Sequence, residues 1–154
     1  MTKLIDLPII EHELSGFTIE KLSKVMKLSF SRRLLMSPDI DVTVDQWVCM
    51  KLLHDHGHLN QQQLSELSLK DAPTLVRIID KLEDKNLLTR STDHLDRRKT
   101  NLSLTKKGIT TVAKIKPILQ SFRAEAYNGI TKSELQAMEE IVYKIFNNLN
   151  IQNQ

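Results

Sequence analysis

The sequence is poor in glycine and proline, with four of each in 154 residues, and it holds a single cysteine. Scarce helix breakers, beside charged residues spread at helical spacing, point to a mostly helical chain. The lone Cys49 excludes an intrachain disulfide. The N-terminal MTKLIDLPIIEHEL has no apolar run long enough for a signal peptide or a membrane span, so no membrane partner and a cytoplasmic location are expected. No glycine-rich phosphate loop stands out, and no Ser-His-Asp or Cys-His arrangement. That argues against an enzyme and gives no reason to expect a cofactor.

What is present suffices for one folded domain. Hydrophobic residues make up 40% of the chain, enough for a core at this length. The charge is modest, 22 basic against 19 acidic residues, but unevenly placed. Between Lys70 and Gly108 ten Lys and Arg face six Asp and Glu, a local excess of +4, while the remaining 12 basic and 13 acidic residues sum to −1. A basic surface confined to one quarter of the chain is the footprint of a polyanion binder; a solvated charged face is the plainer alternative.

The apolar spacing predicts a first helix over about Thr18 to Leu35, with Leu22, Val25, Met26, Phe30 and Leu34 in one stripe. TVDQ at 43–46 opens a second, Thr43 serving as N-cap and Gln46 completing a capping box, with Val44, Trp47, Val48, Leu52 and Leu53 toward the core. Gly57 ends it, and HLN reads as a connection to a short third helix, about Gln61 to Leu67, capped by Asn60. Asp71 caps a fourth, in which Leu75, Ile78, Ile79 and Leu82 form the buried stripe and Thr74, Arg77 and Lys81 face outward.

Two short helices in tandem, the second amphipathic with basic residues outward, form a helix-turn-helix pattern. LLTRS (87–91) and TNLSL (100–104) follow as two strands, the second with Leu102 and Leu104 inward, around the polar, basic TDHLDRRK. A helix-turn-helix followed by a hairpin with a basic tip is a winged helix, its recognition helix suited to the major groove and its tip to the neighbouring minor groove. Thr105 caps a long helical region that Pro117 should bend or interrupt, and TKSE at 131–134 opens a last helix carrying Leu135, Met138, Ile141, Val142, Ile145, Phe146 and Leu149. The terminal helices are more apolar than a winged helix could cover. An intramolecular bundle is one outlet, and a helical dimer interface is the better reading, setting two recognition helices roughly 34 Å apart on a near-palindromic site.

From about Thr18 to Leu149 the chain resembles the MarR family of bacterial transcriptional regulators. The likeness is carried by TLVRIIDKLEDKNLLTRSTDHLDRRKTNLSLTKKG (74–108), most specifically DRR followed by LSLTKKG, and supported by TVDQW. It implies a single MarR-like domain over 1–154, mostly α with a small β-wing: a winged helix-turn-helix over 43–108 and a helical dimerisation region over 18–36 and 109–150. It further implies a homodimer that binds operator DNA, usually represses, and is released by an effector such as a small aromatic or phenolic acid. Carried over by motif, Arg98 enters the minor groove with Asp96 holding its guanidinium, and Arg97 and Lys99 lie near phosphate. Thr74 and Arg77 match DNA-facing positions, Arg77 toward guanine, with Lys81 beside them; Asn60, Gln61 and Gln62 open the preceding helix, where donors suit phosphate. Asn86 stands where relatives usually have glycine, and asparagine tolerates the left-handed turn.

Two features invite other chemistry. HDHGH places His54, His56 and His58 at alternate positions, like a zinc run or the H-x-H-x-D-H ligands of a metal-dependent hydrolase, and a zinc-responsive regulator of the same fold, drawing on His12 between Glu11 and Glu13, is the alternative function. The hydrolase match fails where an aspartate and a histidine are needed and His58 and Leu59 stand. On a helix end the three histidines diverge, leaving His54 or His56 to meet the last carbonyls of the helix. Cys49, inside the second helix beside Trp47, is expected to be a buried, inert thiol rather than a redox sensor.

Overall fold

A computed structural model of the chain describes residues 16–92 and 100–149. The elements follow as α1 (Gly16–Leu35), α2 (Val44–His56), β1 (His58–Asn60), α3 (Gln61–Ser68), α4 (Ala72–Asp84), β2 (Leu88–Thr92), β3 (Thr100–Leu104), α5 (Lys106–Ala126) and α6 (Lys132–Asn148). The fold is mostly helical with one small antiparallel sheet, as the periodicity predicts. It divides into two compact units whose boundary falls inside α5, between Leu119 and Gln120.

Local side-chain chemistry sets most helix starts. Thr43 Oγ1 accepts from the Gln46 amide at 3.2 Å, and Gln46 Oε1 accepts from the Thr43 amide at 3.1 Å. The same reciprocal box joins Asn60 to Gln63 at α3 and Thr131 to Glu134 at α6. Asp71 Oδ1 accepts from the Thr74 amide at 2.9 Å, with Pro73 in the first turn of α4 where no amide proton is needed. At α5, Thr105 Oγ1 accepts from the Gly108 amide at 3.0 Å.

Leu75, Ile78, Ile79 and Leu82 of α4 are buried as their spacing requires. With Met50, Leu53, Leu64, Leu88, Leu102 and Ile115 they form the core of the first unit, where each fully buried side chain contributes roughly 1.5–3 kcal/mol. Phe30 meets Trp47 edge to face at 6.4 Å and closes α1 onto α2.

Several expectations are corrected. HLN is not a plain connection but strand β1: Gly57 leaves α2 at φ 78°, ψ −54°, and the chain enters a three-stranded sheet of order β1-β3-β2. Leu59, buried against its partner Leu102, drives that pairing. In α1 only Phe30 and Leu34 of the expected stripe are buried; Leu22 and Val25 are exposed, because α2 covers only the C-terminal part of the stripe. In α2 the core residues are Gln46, Trp47, Cys49, Met50 and Leu53, whereas Val44, Val48 and Leu52 are half-buried. The helix is buried on a broader and rotated arc, and buried Gln46 is satisfied by its capping box and by Lys85 Nζ at 3.3 Å. Leu102 is buried while Leu104 is only half-buried. Pro117 does not interrupt α5, which runs unbroken from Lys106 to Ala126.

Candidate nucleic-acid interface

The α3–α4 pair is held by a turn with one strained residue. Leu69 ends α3 in the left-handed conformation, φ 53°, ψ 36°. Ser65 steadies it: its carbonyl accepts from the Lys70 amide at 3.3 Å, and its hydroxyl donates to the Lys70 carbonyl at 2.7 Å. Asp71 then opens α4, and its hydrogen bonds from Thr74 hold the carboxyl below the usual aspartate range.

Thr74, Arg77 and Lys81 lie on one exposed face of α4. They share a cleft of about 220 Å³ with Thr43, Asp45, Gln46 and Ile78, so the exposed side of the helix meets the start of α2. Among the described residues neither Arg77 nor Lys81 has a hydrogen-bonded or ion-paired partner. Their neighbours in the basic quarter do. Lys70 pairs with Asp45 at 2.7 Å, Lys85 with Asp41 at 3.0 Å, and Arg90 with Asp80 at 2.6 Å and Glu83 at 2.7 Å. Lys70, Lys85 and Arg90 are thus paired within the fold, Lys70 sharing Asp45 with Lys27, and among the described residues Arg77 and Lys81 are the cations of α4 left without such a partner. The same pairs explain two of the three acidic residues of α4: Asp80 and Glu83 grip the first strand of the wing.

Asn60, Gln61 and Gln62 stand at the start of α3 as expected, with part of their polarity already committed. Asn60 Oδ1 accepts from the Gln63 amide at 2.8 Å, and Gln62 Nε2 donates to Glu66 at 3.0 Å; Gln61 is exposed. Asp96, Arg97, Arg98 and Lys99, the expected wing tip, lie outside the described residues.

The histidine run does not converge. His54 and His56 are on the last turn of α2, His58 is on β1 opposite Ser103, and all three are exposed. His54 Nδ1 lies 3.4 Å from Asp55 Oδ1, a side-chain partner in place of the helix-end carbonyls expected for it. Among the described residues no three His, Cys, Asp or Glu side chains are placed to hold a metal ion. His12, Glu11 and Glu13 lie outside them. Cys49 is fully buried, and desolvation pushes its thiol up to about 11.

Sequence reasoning missed Thr43, Asp45 and Gln46 as walls of the α4 cleft. The Thr43 capping box was legible, but nothing local said which helix would lie against it.

With this geometry in view, residues 42–100, from just before α2 to the first residue of β3, match the model of the MarR family. Over those residues the chain is similar to the MarR family. Solved structures extend the likeness beyond that MarR match. BpsR from Bordetella bronchiseptica, studied for regulation of its DNA binding by 6-hydroxynicotinic acid, is 24% identical, with a TM-score of 0.76 over 90% of this chain and 97% of its own. A MarR family transcriptional regulator from Silicibacter pomeroyi is 24% identical, with a TM-score of 0.77 over 87% of this chain and 88% of its own. A cysteine-to-serine mutant of MarR from E. coli in complex with operator DNA is 21% identical, with a TM-score of 0.76 over 84% of this chain and 91% of its own. The likeness in fold thus extends beyond residues 42–100.

Proposed function

We propose that this chain is a sequence-specific DNA-binding transcriptional regulator, a repressor that binds a near-palindromic operator as a homodimer and is released by a small organic acid. The observation that carries the reading is the exposed face of α4, where Thr74, Arg77 and Lys81 stand together and, among the described residues, neither cation has a hydrogen-bonded or ion-paired partner, whereas Lys70, Lys85 and Arg90 do. A guanidinium there suits the paired acceptors of guanine in the major groove, and a lysine one turn on suits phosphate. Asn60, Gln61 and Gln62 at the start of α3 supply further phosphate donors, and the family resemblance assigns Asp96, Arg97, Arg98 and Lys99, outside the described residues, to the minor groove.

The dimer is supported by apolar surface without a cover. α6 has no buried side chain among the described residues, and Met138, Ile141, Val142, Ile145, Phe146 and Leu149 are all exposed along it. A stripe of that extent marks an interface. Release by a small acid is supported by a second cleft, about 410 Å³, between α1 and the start of α2. Its lining joins Leu28 and Val44 to Lys24, Lys27, Ser31, Thr43 and Asp45; Lys24 is paired with Glu20 and Lys27 with Asp45, so an entering carboxylate would take a lysine from its present partner.

Selection of bound duplexes from a random pool tests the central claim, with an inverted repeat as the expected product. On that duplex Arg98→Ala is expected to weaken binding strongly while leaving the helical circular dichroism intact. Recovery of no enriched sequence overturns the reading. Titration of the complex with small aromatic acids tests release.

A further inference from the structure

The turn that follows α4 is clasped by the start of α5 at three consecutive carbonyls. Lys85 O accepts from Lys107 Nζ at 2.8 Å, Asn86 O from Thr105 Oγ1 at 2.7 Å, and Leu87 O from the Thr105 amide at 3.1 Å. Gly108 completes the clasp by proximity: a Cβ there would overlap the Leu87 carbonyl oxygen and crowd its carbon at 3.1 Å. Both sides of that contact are backbone, so no flexible side-chain end can give way. Gly108 is buried and its φ is not positive, so it is required here for close approach and not for a turn.

Resting on the proposed function, we propose that Gly108 and Thr105 are the positioning residues that fix the recognition helix to α5 and thereby set the half-site spacing that the dimer accepts. α4 has 13 residues and is about 20 Å long. The clasp holds its C-terminal end, while Thr74 and Arg77 stand near the other, so a small tilt at the clasp is magnified where DNA is read. α5 itself runs unbroken from Lys106 to Ala126, within the proposed dimerisation region. One base pair of spacing is about 3.4 Å, and the two half-sites lie roughly 34 Å apart. Retreat of α5 from the Leu87 carbonyl therefore alters the separation of the two helices without altering either helix.

The test uses full-length protein, the inverted repeat selected by the native chain, one isolated half-site, and repeats with one or two base pairs added or removed at the centre. For Gly108→Ala the expected result is half-site affinity within about twofold of native, full-site affinity at least tenfold lower, and a preferred spacing moved from the native one. Thr105→Val, which removes the side-chain bonds and adds no atom against the Leu87 carbonyl, is expected to broaden the spacing preference; it carries the test if Gly108→Ala fails to fold by thermal melt. An unchanged spacing preference in the folded variants overturns the proposal. So does equal loss on half-site and full site, which marks damage within the winged helix itself. If the native chain binds neither duplex, the DNA-binding reading falls first, and the half-site arm shows it.

Discussion

Lys70, in the turn before α4, reaches back to Asp45 in the first turn of α2 and places its Nζ 2.7 Å from a carboxylate oxygen. Lys27 of α1 takes both oxygens of the same carboxylate, at 2.9 and 3.0 Å. One side chain therefore ties α1, α2 and the α3–α4 turn. Burial by itself would raise the Asp45 pKa, and the two lysines outweigh it, leaving the carboxyl below its ordinary value.

Asp45→Asn is expected to lower stability at pH 7 by on the order of 1 kcal/mol, the scale for two partly exposed pairs. A group with a depressed folded pKa contributes above its unfolded pKa and loses the contribution as pH falls through the folded value. The urea midpoints of native and variant should therefore differ at pH 7 and converge below the usual aspartate range. A gap unchanged at low pH would show that the loss is not of charge.

Leu69 is a non-glycine residue in the left-handed region with a side chain 62% exposed. Such a residue carries about 1–2 kcal/mol of backbone cost, and little burial is lost by removing this side chain. Leu69→Gly should raise stability by about 0.5–1 kcal/mol after the extra entropy of the unfolded chain is deducted. A melting temperature that falls would contradict the account of the turn.

Arg77→Ala should cost roughly 1–3 kcal/mol on the selected operator and relax preference at one base position. Lys81→Ala should instead weaken all sequences alike and reduce the slope of log affinity against log salt by about 1. Anisotropy titrations at several salt concentrations separate the two patterns.

Cys49, buried and with its thiol at about 11, should resist iodoacetamide at pH 7.5 in the native protein and react once urea unfolds the chain. Millimolar peroxide should leave operator binding unchanged. Rapid native alkylation would reopen a redox role.

Ile141, 54% exposed in the α6 stripe, offers a test of assembly. Light scattering at micromolar concentration should give a dimer for the native chain, and Ile141→Glu should move the mass toward the monomer. Native protein of monomer mass would remove the dimer.

What was legible in the sequence was what neighbours in sequence decide. The capping pairs Thr43–Gln46 and Thr131–Glu134 act over three residues, and the α4 stripe needs only the helical period. Asn86 at φ 56° follows from the same kind of local argument. β1 was not legible, because three residues make a strand only when β3, some forty positions later, lies beside them. The α1 stripe was over-read for a related reason: periodicity says which side chains share a face, not whether another element covers it. At the candidate site, the exposure of Thr74, Arg77 and Lys81 was readable, whereas the pairing of Lys70, Lys85 and Arg90 with distant carboxylates was not.

The central place of β3 bears on how this surface can diversify. Its residues pair with β1 on one edge and β2 on the other, and β1 is continuous with the helices that flank it. Register is thus held from the helix-turn-helix side, independently of the segment that joins β2 to β3. Insertions, deletions and charge changes in that segment are free to accumulate while the strands keep their alignment. That segment can be rewritten by mutation without refolding the helix-turn-helix.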